Sequence, residues 1–184
     1  MRHQKRATFA STTRVGLIQA LGPMRNFLAI LIALVLATPV AFAADSAAKS
    51  VSSRIAKEGG HKVLWDLWQH EQAFGRVLSG IESGDAAWLK VATQLRPFAD
   101  GAAALSLDYA VAQALTRSPE PVLALVGHGF DIEYICTSPF IEPEPGVAET
   151  YEQQALAALS KVKAPALVSL ASECSKRLHL PDGA

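Results

Sequence analysis

The chain has 184 residues, with 17 basic and 17 acidic side chains. All 17 acids follow Ala43, whereas five of the basic residues precede it, so residues 44–184 carry 12 basic minus 17 acidic side chains, a formal charge of −5. This balance argues against nucleic acid and anionic membrane surfaces as partners, since both reward clustered Lys and Arg. The segment of roughly 140 residues is long enough for one domain with a hydrophobic core.

The first 43 residues have the pattern of a signal peptide. Residues 1–25 are basic, the unbroken apolar run FLAILIALVLA follows at Phe27–Ala37, and Ala41-Phe42-Ala43 has the small-x-small pattern of a cleavage site. We expect cleavage after about Ala43, with Met24 as an alternative start, and a periplasmic or secreted product. An uncleaved membrane anchor is the alternative, although the run is shorter than the about 20 residues of a spanning helix.

Residues 44–60 are expected to be a flexible lead-in followed by a first helix, and residues 61–184 a single helical domain. Trp65 and Trp68 are three residues apart and therefore share one helical face. They are either an aromatic platform for a ligand or partner, or core packing under the first helix, which is the interpretation we favour. Trp88 is expected in the core.

The stretch from Ser83 to Val126 predicts three amphipathic helices joined by short turns. The first covers 86–95 with Asp85 as its N-cap, the second runs from about Asp100 to Thr116, and the third begins at Pro119. Arg96 precedes a proline and is expected outside the helical region.

A Pro-rich loop is predicted at 139–146, because three prolines in seven residues forbid regular helix or central strand. This extended loop carries Phe140, Ile141, Glu142 and Glu144, and serves as a structural strap or as a recognition edge. Two further helices are expected after it.

Cys136 and Cys174 are the only cysteines. In an exported chain a disulfide is the default interpretation, and a nucleophilic or redox thiol is the alternative. The bridge would close a loop of roughly 40 residues, worth about 4 kcal/mol in the chain-entropy model.

Motifs of metal, cofactor or nucleophilic chemistry are not found. His61, His70, His128 and His179 are scattered, and there is no G-x-S-x-G elbow, phosphate loop or dinucleotide fingerprint. We therefore predict no catalytic residues, no metal ligands and no cofactor. A cluster of acids, Asp131 and Glu133 with Glu142 and Glu144, is the one set that could bind a cation or do acid–base work.

Short helices at intervals of about 15–20 residues over 61–126 resemble helix pairs of the HEAT-like kind. The strings SGDAAWLKVA, ALTRSPEPVLAL and ICTSPFIEP also resemble small exported all-helical bacterial proteins of unassigned function. The resemblance implies export and a helical fold, and it brings no catalytic residues with it.

The predicted fold is all-α: a compact array of about six to eight short amphipathic helices, loosely repeat-like, with one disulfide. The function we expect is binding to another exported or envelope protein, as an inhibitor, immunity-type or assembly factor, with Trp65, Trp68, Phe140, Ile141, Glu142 and Glu144 as candidate binding residues. The alternative is a small-ligand binder or hydrolase that uses Asp131, Glu133, Glu142 or His128 in a cleft beside the Pro-rich loop. A purely structural envelope protein is a third possibility.

Overall fold

The computed structural model describes the backbone of residues 39–179 and the side chains of residues 45–179. Over this range the chain forms nine α-helices and one 3₁₀ turn, Arg96–Phe98, which lies between the fourth and fifth helices. The helices are α1 Pro39–Glu58, α2 Gly60–Gln69, α3 Glu71–Glu82, α4 Ala86–Leu95, α5 Gly101–Ala114, α6 Pro119–Leu123, α7 Ile132–Ile135, α8 Val147–Leu159 and α9 Pro165–Leu178. The predicted all-α fold is confirmed.

The described helices contain none that is both long enough and apolar enough to cross a bilayer. Most of the predicted signal peptide, residues 1–38, lies outside the described residues. Of the described residues, those from Ala41 to His179 cluster as one compact unit.

The predicted flexible lead-in is wrong, because residues 44–58 are helical as part of α1. Ala48, Val51 and Ile55 follow helical spacing on one face; Ala48 is fully buried, and the other two pack against the core. Small and polar residues favour a flexible segment, but alanine is the best helix former, and the buried face stabilises the helix further.

Arg54 joins α1 to α2. Its guanidinium donates hydrogen bonds to Glu58 at 3.0 Å within α1 and to Asp66 of α2 at 2.8 Å. Gly59, with φ 88°, makes the turn between the two helices in a conformation that favours glycine. The turn and the ion pair together set the direction in which α2 leaves α1.

The core lies where α3 packs along α5, with α4 beside them. Trp88 is buried there as predicted, with its ring directly over the backbone of Gly80. The largest fully buried side chains of the described residues are Val63, Ile81, Val91, Leu95, Leu107, Val111, Leu115, Val122, Leu123, Phe130, Ile135 and Cys136.

The bounds of α4 follow the prediction, but the conformation of the next residue, Arg96, does not. The Asp85 carboxylate accepts hydrogen bonds from the backbone N–H groups of Ala87 (2.9 Å) and Trp88 (3.3 Å), as an N-cap does. Arg96, however, keeps helical dihedrals (φ −52°, ψ −41°) and starts the 3₁₀ turn. The prediction for Arg96 is wrong because the preference against helix before proline is weak, and tertiary contacts of this side chain outweigh it.

Those contacts are with Asp108 and Phe130. Arg96 donates two hydrogen bonds to the carboxylate of Asp108, at 2.9 and 3.2 Å, and its guanidinium lies 5.8 Å from the centroid of the Phe130 ring. Asp108 is the buried charged residue of the described chain, with 2% of its surface exposed. A buried carboxylate needs such a paired cation, since isolated burial of a charge is strongly unfavourable.

The C-terminal helices are held in the fold by a covalent bond and a polar contact. The disulfide Cys136–Cys174 links the end of α7 to α9, which confirms that prediction. The Tyr151 hydroxyl of α8 donates to the carbonyl of Ala112 in α5 at 2.9 Å, and burial raises the pKa of this phenol above its ordinary value.

The Pro-rich loop is not extended throughout. Glu142 has φ 47°, in the left-handed region that non-glycine residues rarely adopt, so the loop bends there. The prediction that the loop is extended is therefore wrong at Glu142.

Candidate functional site

The strongest candidate site is a groove of about 340 Å³ lined by three exposed aromatic side chains. Trp65 is 61% exposed, Trp68 41% and Phe98 46%. Around them, the groove is completed by His61, by Leu64, and by residues 100–103 at the start of α5. We call this surface the aromatic groove.

One wall of the aromatic groove is a single face of α2. His61, Leu64, Trp65 and Trp68 recur at i, i+3, i+4 and i+7, which brings their side chains to the same side of the helix. Leu64 is buried and joins this wall to the core, whereas both tryptophans remain open to solvent. The core interpretation favoured for Trp65 and Trp68 is therefore wrong, and their role as a platform for a ligand or partner stays a prediction.

The opposite wall is Phe98, which ends the 3₁₀ turn. Its ring lies against the backbone of Gly60 so closely that a Cβ added to Gly60 would be 2.2 Å from the Phe98 Cε2 atom. Trp68 is supported in a different way, because its ring meets the ring of buried Phe74 edge-on, with centroids 5.5 Å apart. Two of the three aromatic rings are thus positioned by packing, which lowers the entropy lost when a ligand binds.

The charge of the aromatic groove comes from Asp100. Its side chain does not cap α5, and it has no hydrogen-bond or ion-pair partner among the described residues. The nearest acid in sequence to the tryptophans, Asp66, is already paired: the hydrogen bond from Arg54 lowers the pKa of its carboxyl group. No Lys or Arg is among the described residues that line the aromatic groove.

Phe98, Asp100 and Leu64 were not singled out from the sequence. One signal was available for Phe98, which follows Pro97 after the apolar stripe of α4 has ended and is therefore a large aromatic residue outside any predicted helix. No comparable signal existed for Asp100, since acids at helix starts are ordinarily caps.

The candidate residues of the Pro-rich loop do not line the aromatic groove. Phe140 lines a second, more open groove of about 570 Å³, where its ring meets the ring of Tyr151 edge-on. Ile141, Glu142 and Glu144 are exposed and line neither groove. The structure therefore does not bring the candidate binding residues together into one site.

The expected acidic cleft beside the Pro-rich loop has no counterpart in either groove. None of Asp131, Glu133, Glu142 or His128 is among the residues that line them. Glu133 instead lies 3.8 Å from Arg177 of α9. Within residues 45–179, no three His, Cys, Asp or Glu side chains are grouped so that they could hold a metal ion.

The chain matches no protein-family model, no curated protein and no solved structure. The resemblance to HEAT-like helix pairs therefore stays a prediction. What can be said of function comes from the geometry of the aromatic groove and from the sequence.

Proposed function

We propose that this chain is an exported helical protein that acts by binding another exported or envelope protein through the aromatic groove. The observation that carries the proposal is the exposure of Trp65, Trp68 and Phe98 around one concave surface. Single exposed apolar residues are common, but adjoining aromatic ones are not, and tryptophan is the residue type most enriched among those that dominate binding energy.

Support for export comes from the sequence and from the disulfide. The basic segment, the apolar run and the Ala41-Phe42-Ala43 site form a secretory leader, and disulfides persist mainly in oxidising compartments. The protein would then act in the periplasm or outside the cell, as an inhibitor, an immunity-type factor or an assembly factor.

The experiment is affinity capture from the exported fraction of the source cells, with the full chain produced through its own leader. A captured protein would be purified and titrated calorimetrically against this chain. We expect one partner with 1:1 stoichiometry. Because truncating a central aromatic residue typically costs at least about 2 kcal/mol of binding, we expect the W65A/W68A variant to bind at least about 30-fold more weakly.

Val168→Ala is the matched control, because Val168 is 50% exposed on α9 and lies outside both grooves. The control should bind like the unchanged protein, and circular dichroism should show that both variants stay helical. Absence of any partner, or a partner that binds the W65A/W68A variant with unchanged affinity, would overturn the proposal.

A further inference from the structure

We infer that the aromatic groove receives a positively charged side chain, arginine or lysine, carried by a segment of the partner protein. This inference rests on the proposed function and names the chemistry of the occupant. The cation would lie against the faces of Trp65, Trp68 and Phe98, with the Asp100 carboxylate as its counter-ion.

The aromatic side chains supply the first reason. A cation is attracted to the electron-rich face of an aromatic ring, and tryptophan is the strongest such partner. Trp65 and Trp68 expose much of their surface at the aromatic groove, and Phe98 faces the same space from the other wall. Three aromatic side chains around one small space are the arrangement that proteins use to hold ammonium and guanidinium groups.

The unpaired carboxylate supplies the second reason. Asp100 lies at the aromatic groove without a hydrogen-bond or ion-pair partner among the described residues, and the groove lining includes no Lys or Arg. By contrast, Asp66 beside Trp65 already has Arg54 as its partner. The aromatic groove therefore carries one uncompensated negative charge that an incoming cation would neutralise.

The partial positive charge at the N-terminus of α5 offsets only part of the negative charge of Asp100. A helix N-terminus behaves as about half a positive charge, whereas the Asp100 carboxylate is a full negative charge at the same end of the helix. The sum of these two charges is still negative, so the aromatic groove favours a cation over an anion. The net charge of −5 on residues 44–184 acts in the same direction, since it attracts basic partners at long range.

The test uses the three tryptophan indole N–H signals in ¹⁵N-labelled protein purified from the exported fraction. The probes are two capped tripeptides, Gly-Arg-Gly and Gly-citrulline-Gly, which have nearly the same shape but differ in charge. We expect the arginine peptide to shift the Trp65 and Trp68 signals at millimolar concentration and the citrulline peptide to shift them at least about 5-fold less at the same concentration. Trp88 is buried, so its signal is the internal control.

Asp100→Asn keeps the size of the side chain and removes its charge, and we expect it to weaken binding of the arginine peptide about 3- to 10-fold. Glu149→Gln removes an equivalent exposed charge from α8, outside the aromatic groove, and should bind the peptide normally. Raising the salt concentration should weaken binding by the unchanged protein and have less effect on Asp100→Asn.

Equal shifts with both peptides, or unchanged binding in Asp100→Asn, would overturn the cation inference. Tight binding of free choline with no binding of the arginine peptide would also overturn it, since the occupant would then be a small molecule. These results differ from failure of the proposed function. If binding of a partner requires Trp65 and Trp68 but is unchanged in Asp100→Asn, the proposed function stands and only the inference about the cation is wrong.

Discussion

At the scale of single residues, Gly60 matters because it has no side chain. The Phe98 ring occupies the space that a Cβ at this position would take. The position of Phe98 at the aromatic groove therefore requires glycine at residue 60. Gly75, in α3, is a useful contrast, because a Cβ added there would meet nothing within 4 Å.

Gly60→Ala should displace Phe98 without unfolding the protein. The Cβ that alanine adds at this position would overlap the Phe98 ring, so one of the two has to move. Phe98 is half exposed and can turn toward solvent, so we expect the free energy of unfolding to change by less than about 1 kcal/mol. The indole N–H signals of Trp65 and Trp68 should shift, and binding of the arginine peptide should weaken.

Gly75→Ala is the control for this substitution. It should raise the free energy of unfolding by roughly 0.5–1 kcal/mol, because alanine in a helix interior loses less backbone entropy than glycine. It should leave both indole signals in place. Unchanged indole signals in Gly60→Ala would show that Phe98 does not depend on Gly60 for its position.

At the scale of elements, the pair Arg96–Asp108 connects the end of α4 to the middle of α5. Between these two helices lie Phe98 and Asp100, which form one side of the aromatic groove. This ion pair therefore fixes the two helices relative to each other, and the segment that connects them lines one side of the aromatic groove. Its members are 12 residues apart, and the Asp108 side chain is only 3% exposed.

Asp108→Ala should lower the free energy of unfolding by about 3–5 kcal/mol, because it leaves the Arg96 guanidinium partly buried without its partner. Urea unfolding followed by circular dichroism measures this loss. The R96M/D108L double variant should be less destabilised than Asp108→Ala, since apolar side chains of similar size need no ionic partner.

Glu173→Ala removes the acid of another arginine pair, with Arg177, but this pair lies on the exposed surface of α9 and should contribute little. A loss below about 1 kcal/mol for Asp108→Ala would show that the buried pair does not determine how α4 and α5 pack.

At the scale of the whole molecule, the Cys136–Cys174 disulfide closes the part of the chain that contains the Pro-rich loop and α8. The two cysteines are 38 residues apart, and both are buried. The bond restricts the unfolded chain and holds α7 and α9 together at the same place in the core.

The C136A/C174A variant should unfold with a free energy about 4 kcal/mol below that of the oxidised protein, which is what the chain-entropy model assigns to a loop of this length. Urea unfolding with and without reductant measures the loss. Reductant should destabilise the unchanged protein and leave the variant as it is. Equal stability of the oxidised protein and the variant would contradict this account.

Local pattern was enough to predict most helices and the disulfide. Helical spacing of apolar residues is a short-range property, and Asp85 caps α4 by bonding to backbone only two and three residues away. The pairing of the cysteines could be predicted without knowledge of the fold, because a chain with two cysteines has one possible internal bridge. These features were readable because their causes lie within a few residues or in simple counting.

Tertiary structure decided which faces are covered. Spacing showed that Trp65 and Trp68 share a face of α2, but it could not show that nothing packs over that face. The same holds for two contacts between residues that are distant in sequence: the ion pair Arg96–Asp108 and the packing of Phe98 against Gly60. The helical fold could be predicted from local composition and spacing, whereas the aromatic groove needed the structure, because it exists only where α2, the 3₁₀ turn and α5 meet.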